Sequence, residues 1–133
     1  MRRMWMIVLI GCTANRAEAE RALQLGAQTR QLTLEEQRAA ATGLASLSCR
    51  DEDVCRVKTE CGKVAEAAAA GLALRAELKA MAERPESERN TEDFQARADR
   101  LHEEATSKLQ QASAAVPACE TALAILGRSV HGK

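Results

Sequence analysis

Glu52-Asp53-Val54-Cys55-Arg56-Val57-Lys58-Thr59-Glu60-Cys61-Gly62-Lys63-Val64-Ala65-Glu66-Ala67-Ala68-Ala69-Ala70-Gly71 is the stretch that decides the fold class. Its apolar positions Val54, Val57, Cys61, Val64, Ala68 and Gly71 alternate spacings of three and four, which is one seam along a helix and not the two-residue alternation of a strand. The seam then shifts by part of a turn to Leu74, Leu78 and Met81. The spacing predicts a helix from Glu52 to Arg84, stopped by Pro85 because the residue before a proline resists the helical conformation.

Working outward, Pro85-Glu86-Ser87-Glu88-Arg89-Asn90 reads as a polar turn. Asn90 or Thr91 caps the next helix, with Glu92 and Asp93 favourably placed at its positive end. That helix carries Phe94, Ala98, Leu101, Ala105, Ala112, Val116, Cys119, Leu123 and Leu126. Pro117 is expected to kink or break it one turn before Cys119, Gly127 to close it, and residues 129–133 to fray. Upstream, Thr33-Leu34-Glu35-Glu36 is a capping box that starts a helix at Leu34, running to about Leu47. Ser48 or Asp51 is then available to cap the helix at Glu52. Two long amphipathic helices joined by a short polar turn make an antiparallel hairpin. The fold expected is therefore all-α, either that hairpin or a three-helix bundle, with the helical domain spanning residues 33–128.

Composition agrees. With 1 Phe, 1 Trp and 0 Tyr in 133 residues, the core is left to Leu, Val and Ala, which suits close-packed helices and cannot fill a sandwich or barrel. Lys and Arg number 19 against 19 Asp and Glu. No basic stripe marks a nucleic-acid surface and no acidic run forms a tail.

The N-terminus reads Met1-Arg2-Arg3-Met4-Trp5-Met6-Ile7-Val8-Leu9-Ile10-Gly11-Cys12: two cations, an apolar run, a small residue and a cysteine. Met4 to Ile10 is far shorter than the ~20 apolar residues of a membrane span, and the layout is that of a secretory signal. It resembles the signal peptide of a bacterial lipoprotein, with Leu9-Ile10-Gly11-Cys12 as the lipobox. The resemblance implies cleavage after residue 11, acylation of Cys12, and attachment to a membrane through lipid alone. At least two acyl chains are needed for a stable anchor, and a diacylated or triacylated cysteine supplies them. Thr13, where the enterobacterial sorting rule puts Asp for inner-membrane retention, favours the outer membrane. Cleavage removes Arg2 and Arg3, leaving 17 basic side chains against 19 acidic. Residues 12–32, rich in Ala, Glu, Gln and Arg with a poor apolar stripe, form either a tether or a loose first helix.

With Cys12 acylated, Cys49, Cys55, Cys61 and Cys119 remain, and an even set in an exported domain reads as two disulfides. Cys55 and Cys61 sit about 9 Å apart along a helix axis at ~1.5 Å per residue, too far to bond to each other at ~4.4–6.8 Å between Cα atoms. Folding the chain about Ser87 brings Cys61 opposite Cys119, with Cys49 bending back to Cys55. The second pairing, Cys55 with Cys119 and Cys49 with Cys61, requires the chain before Asp51 to lie along the following helix.

Catalytic chemistry is sparse. Structural zinc ligands come in Cys-x2-4-Cys pairs, whereas five residues separate Cys49 from Cys55 and Cys55 from Cys61. His102 and His131 stand alone. Glu35-Glu36 and Glu103-Glu104 are paired carboxylates of the kind that do acid–base work, but both pairs lie among compensating cations and read as solvated faces. Ala67 to Ala70 with Gly71 is a smooth patch for close helix packing. No phosphate-cradling loop, serine elbow or Cys-x-x-Cys occurs. The expectation is a membrane-anchored helical lipoprotein of the cell envelope with a structural or protein-interaction role. No enzyme activity, cofactor, metal, nucleic acid or small-molecule substrate is implied, and the protein partner is unspecified. The alternatives are an assembly chaperone, by analogy of size and class with small helical pilotin lipoproteins, and a periplasmic metal or redox carrier using the cysteines.

Overall fold

Short polar side chains set where each helix begins. In the computed structural model, which describes residues 16–31 and 33–131, α1 covers residues 16–28 and closes on the turn bonds Thr29 N–H to Gly26 O and Arg30 N–H to Ala27 O, both 3.2 Å. Thr33 is extended and accepts the Glu36 N–H at 3.2 Å, starting α2 at Leu34–Ser46. The Thr33 hydroxyl donates to the Glu36 carboxylate at 2.8 Å, closing the box through the side chain. Asp51 caps α3 (Glu52–Ala82) by accepting the Asp53 N–H at 2.9 Å. A single helical turn, α4 (Glu86–Arg89), lies inside the segment expected as a polar turn. Thr91 accepts the Phe94 N–H at 3.2 Å and opens α5 (Glu92–His131). Among the described residues the protein is all-α.

α3 and α5 run antiparallel. Asp53 meets Ser129, Cys61 meets Cys119, Gly71 meets Leu109 and Glu77 meets Arg97. At Gly71 the helices are too close for a side chain: a Cβ there would lie 2.6 Å from Leu109 Cγ and 3.3 Å from the Ala105 carbonyl. α1 and α2 pack against one half of this pair, as Leu25 packs over Gly43 and Leu123 over Gly26. We call that half the base and the rest, from about residue 72 to residue 109, the arm.

The base holds the core. Leu25, Leu44, Val54, Val57, Cys61 and Leu126 are the largest side chains shut off from water there. Of the two readings of segment 12–32, tether or first helix, the described part follows the helix: Ala19, Ala22 and Leu25 of α1 are buried in the core. Its stripe is made of alanine and one leucine, which is why it looks polar by composition. Gln37 is the buried polar link between α1 and α2, 3 % exposed, donating from Nε2 to the Thr29 carbonyl at 2.9 Å and to that of Gln31.

At α5 the expected break at Pro117, the stop at Gly127 and the fraying of residues 129–131 do not occur. Pro117 neither ends nor splits the helix. Its ring is exposed, so the missing N–H costs one bond to the carbonyl of Ser113 while packing on either side continues. Gly127 does not close the helix, which runs on to His131, with no positive φ at any described residue. Val130 packs on the core and Ser129 donates to Asp53 Oδ2 at 3.1 Å, so the last turn has partners instead of fraying. At the other end of the arm α3 stops at Ala82, short of Arg84.

Candidate functional site

The four described cysteines form two bridges that differ in setting. Cys61–Cys119 ties α3 to α5, with Cα atoms 4.6 Å apart and a sequence separation of 58. Both residues sit on helix seams, and they are 0 % and 2 % exposed. Thr29 Oγ1, which donates to the Gly26 carbonyl at 2.6 Å, lies 3.8 Å from Cys119 Sγ and covers it from α1. Cys49–Cys55 has a sequence separation of only 6, with Cα atoms 5.1 Å apart, and pins the 47–51 junction to the first turns of α3. Both of its residues are half-buried. Lys58 reinforces the junction by donating to the Leu47 carbonyl at 2.8 Å.

The start of α1, the α2–α3 junction and the end of α5 share one end of the molecule. Ala17, Glu18 and Arg21 line a shallow groove with Ser46, Leu47 and Ser48, and Ser129 reaches Asp53. The α3–α5 turn lies at the opposite end. A helix of 31 residues rises about 46 Å at ~1.5 Å per residue, and this sets the distance between the two ends. Along the arm Leu74, Leu78, Phe94, Leu101 and Leu109 are only half-buried, because no third helix covers the pair there. At its tip Met81 and Phe94 form an open groove rimmed by Glu77, Arg84, Glu88 and Arg97. The Arg97–Glu77 pair spans the helices at 2.8 Å and is exposed on both sides.

The remaining candidates do not converge. Cys12 and Thr13, with the rest of the lipobox, lie outside the described residues. His102, Glu103 and Glu104 face solvent on the arm, while Glu35 and Glu36 occupy the first turn of α2, far along the chain and structure from them. His131 is exposed at the end of α5. Among the described residues no three His, Cys, Asp or Glu side chains come close enough to hold a metal ion. No described helix is long and apolar enough to cross a membrane. What this arrangement offers chemically is a covalently braced base, one half-exposed disulfide and a two-helix arm with an open apolar seam. The buried Gln37 link and the Thr29 cover over Cys119 were missed in the sequence reading, since a lone Gln and a lone Thr carry no periodic signal.

The chain matches no protein-family model, and neither the curated proteins nor the solved structures contain a match to it.

Proposed function

We propose that the chain is a lipid-anchored protein of the bacterial cell envelope, held to the outer membrane through acylated Cys12, with a structural or protein-interaction role and no catalytic one. The observation that carries this reading is the Leu9-Ile10-Gly11-Cys12 motif behind Arg2-Arg3 and a short apolar run. Its fold in this reading is an antiparallel helical hairpin braced at one end by α1 and α2. Residue 16 lies at the base end, four positions after Cys12, so a lipid on Cys12 would leave the arm pointing away from the anchored end. The partner is a protein that meets the arm, where Leu74, Leu78, Phe94 and Leu101 are half-buried.

The assembly-chaperone alternative uses the same anchor and the same arm and differs only in the fate of the partner. A metal or thiol carrier needs free thiolates, whereas Cys49, Cys55, Cys61 and Cys119 are all bonded in disulfides. The test is an intact mass of the detergent-extracted protein, alkylated without prior reduction. A mass that begins at an acylated Cys12 and carries no alkyl adducts is expected. A mass that begins at Met1 with several adducts overturns the envelope reading.

A further inference from the structure

A disulfide opens when a thiolate reaches one of its sulfurs in line with the S–S bond, so access decides which of two bridges exchanges. Around Cys61–Cys119 access is closed. The pair is 0 % and 2 % exposed, with α1 lying over it through Thr29, and the Cys61 sulfur lies 3.6 Å from the Cys119 carbonyl. A cavity lined by Thr29, Arg30, Val116, Glu120 and Leu123 abuts Cys119 but leaves only 2 % of that residue exposed, so a reductant meets a nearly closed surface there.

Around Cys49–Cys55 access is open. Cys49 packs against the edge of the core and is only half-buried. Cys55 is one residue, roughly 100° round the helix, from the fully buried Val54, and is half-exposed on the flank of α3. Its neighbours Ser48, Arg50, Asp51, Glu52 and Arg56 are all exposed. Several noncovalent ties at the junction do not depend on this bridge. Leu47 is buried, Lys58 holds the Leu47 carbonyl at 2.8 Å, and Asp51 caps α3 at 2.9 Å.

We propose that Cys49–Cys55 is a reducible latch, opened by a dithiol while Cys61–Cys119 stays closed, and that opening it loosens residues 48–51 without melting the helices on either side. One thiolate of the dithiol attacks Cys55 Sγ, forming a mixed disulfide as the Cys49–Cys55 bond breaks. Cys49 leaves as a thiolate and takes a proton from water. The second thiolate of the reductant attacks its own sulfur in the mixed disulfide and expels Cys55 as a thiolate, which also takes a proton from water, while the reductant leaves as the oxidised cyclic disulfide. Two electrons have passed to the protein, which now carries two thiols.

The test is graded reduction of the full chain with dithiothreitol after any free thiols have been blocked. Newly freed thiols are trapped with a second alkylating label and located by peptide mass. Labelling of Cys49 and Cys55 is expected at a reductant concentration about tenfold or more below that for Cys61 and Cys119, a free-energy gap of about 1.4 kcal/mol or more. At that intermediate point far-UV helicity is unchanged, and trypsin gains a cut after Arg50. Simultaneous labelling of all four, earlier labelling of Cys61 and Cys119, or loss of helix when the first pair opens would each overturn the proposal. The double variant Cys49→Ser/Cys55→Ser gives a second reading without reductant: it keeps the helical spectrum and shows the Arg50 cut from the start. A variant that has lost its helix, or one as resistant at Arg50 as the parent, overturns it equally.

Discussion

The base and the arm are made from the same two helices, yet they are stabilised by different means. In the base, α3 and α5 meet α1 and α2, and Leu44, Val54 and Val57 are each 0 % exposed. In the arm the same helices have only each other, and of the larger apolar side chains there only Met81 is buried, at 9 %, while Leu74, Leu78, Phe94 and Leu101 stay half-wet. Both disulfides lie in the base. The difference teaches that a continuous helical seam is not a continuous core. Periodicity tells which face is apolar, and the number of neighbouring helices decides how much of that face leaves water.

Full reduction is the most severe way to test this contrast. In the chain-entropy model the Cys61–Cys119 bridge contributes about 4 kcal/mol and the shorter Cys49–Cys55 bridge about 2 kcal/mol. That sum is of the order of the whole stability of a small domain. Strong reductant is therefore expected to abolish most of the cooperative melt followed by far-UV circular dichroism. An unchanged midpoint would show that the base stands without its bridges.

Matched truncations come next. Leu44→Ala removes a side chain that is 0 % exposed and is expected to cost about 2–5 kcal/mol. Leu78→Ala, on the half-wet arm, should cost about 1 kcal/mol or less, since only part of its ~1.5–3 kcal/mol burial term is realised there. Equal losses in denaturant titrations would erase the distinction between base and arm. Pro117→Ala tests the opposite sign. The ring is exposed, so no packing is lost, and restoring the N–H toward Ser113 should stabilise α5 by up to about 3 kcal/mol; a lower melting temperature would contradict this account of the helix. The smallest effect belongs to Arg97 and Glu77, 61 % and 44 % exposed on their side chains. A double-mutant cycle on that pair should return only about 0.2–1 kcal/mol, falling with added salt.

Much of this was legible in the sequence, for reasons that can be traced to particular residues. The seam from Val54 to Gly71 announces α3, Thr33 and Asp51 sit where caps are needed, and helical rise keeps Cys55 from bonding to Cys61. What could not be read has physical causes too. α1 buries mostly alanine, which gives little amphipathic contrast, so its packing onto Gly43 and Leu123 is invisible without the partner surfaces. Pro117 and Gly127 carry strong local signals for interruption, and tertiary packing of Cys119, Leu123, Leu126 and Val130 overrides both. The candidate site was legible only in part. The cysteines stand out by type and spacing, whereas the half-exposure of the arm depends on where α1 and α2 stop, which no single segment encodes.

The Cys61–Cys119 bond has a mechanical consequence. Along the arm, two antiparallel helices held by small and half-wet side chains resist sliding weakly, because each step past a neighbour trades one shallow contact for another. A covalent rung between them removes that freedom. With Cys61 fixed to Cys119, α5 cannot ratchet along α3, and a pull applied between the start of α1 and the far turn is converted from shear along the seam into bending of a two-stranded beam. The rung sits in the base, at the inner end of the free span, where it transfers load from one helix to the other while the tip keeps its compliance.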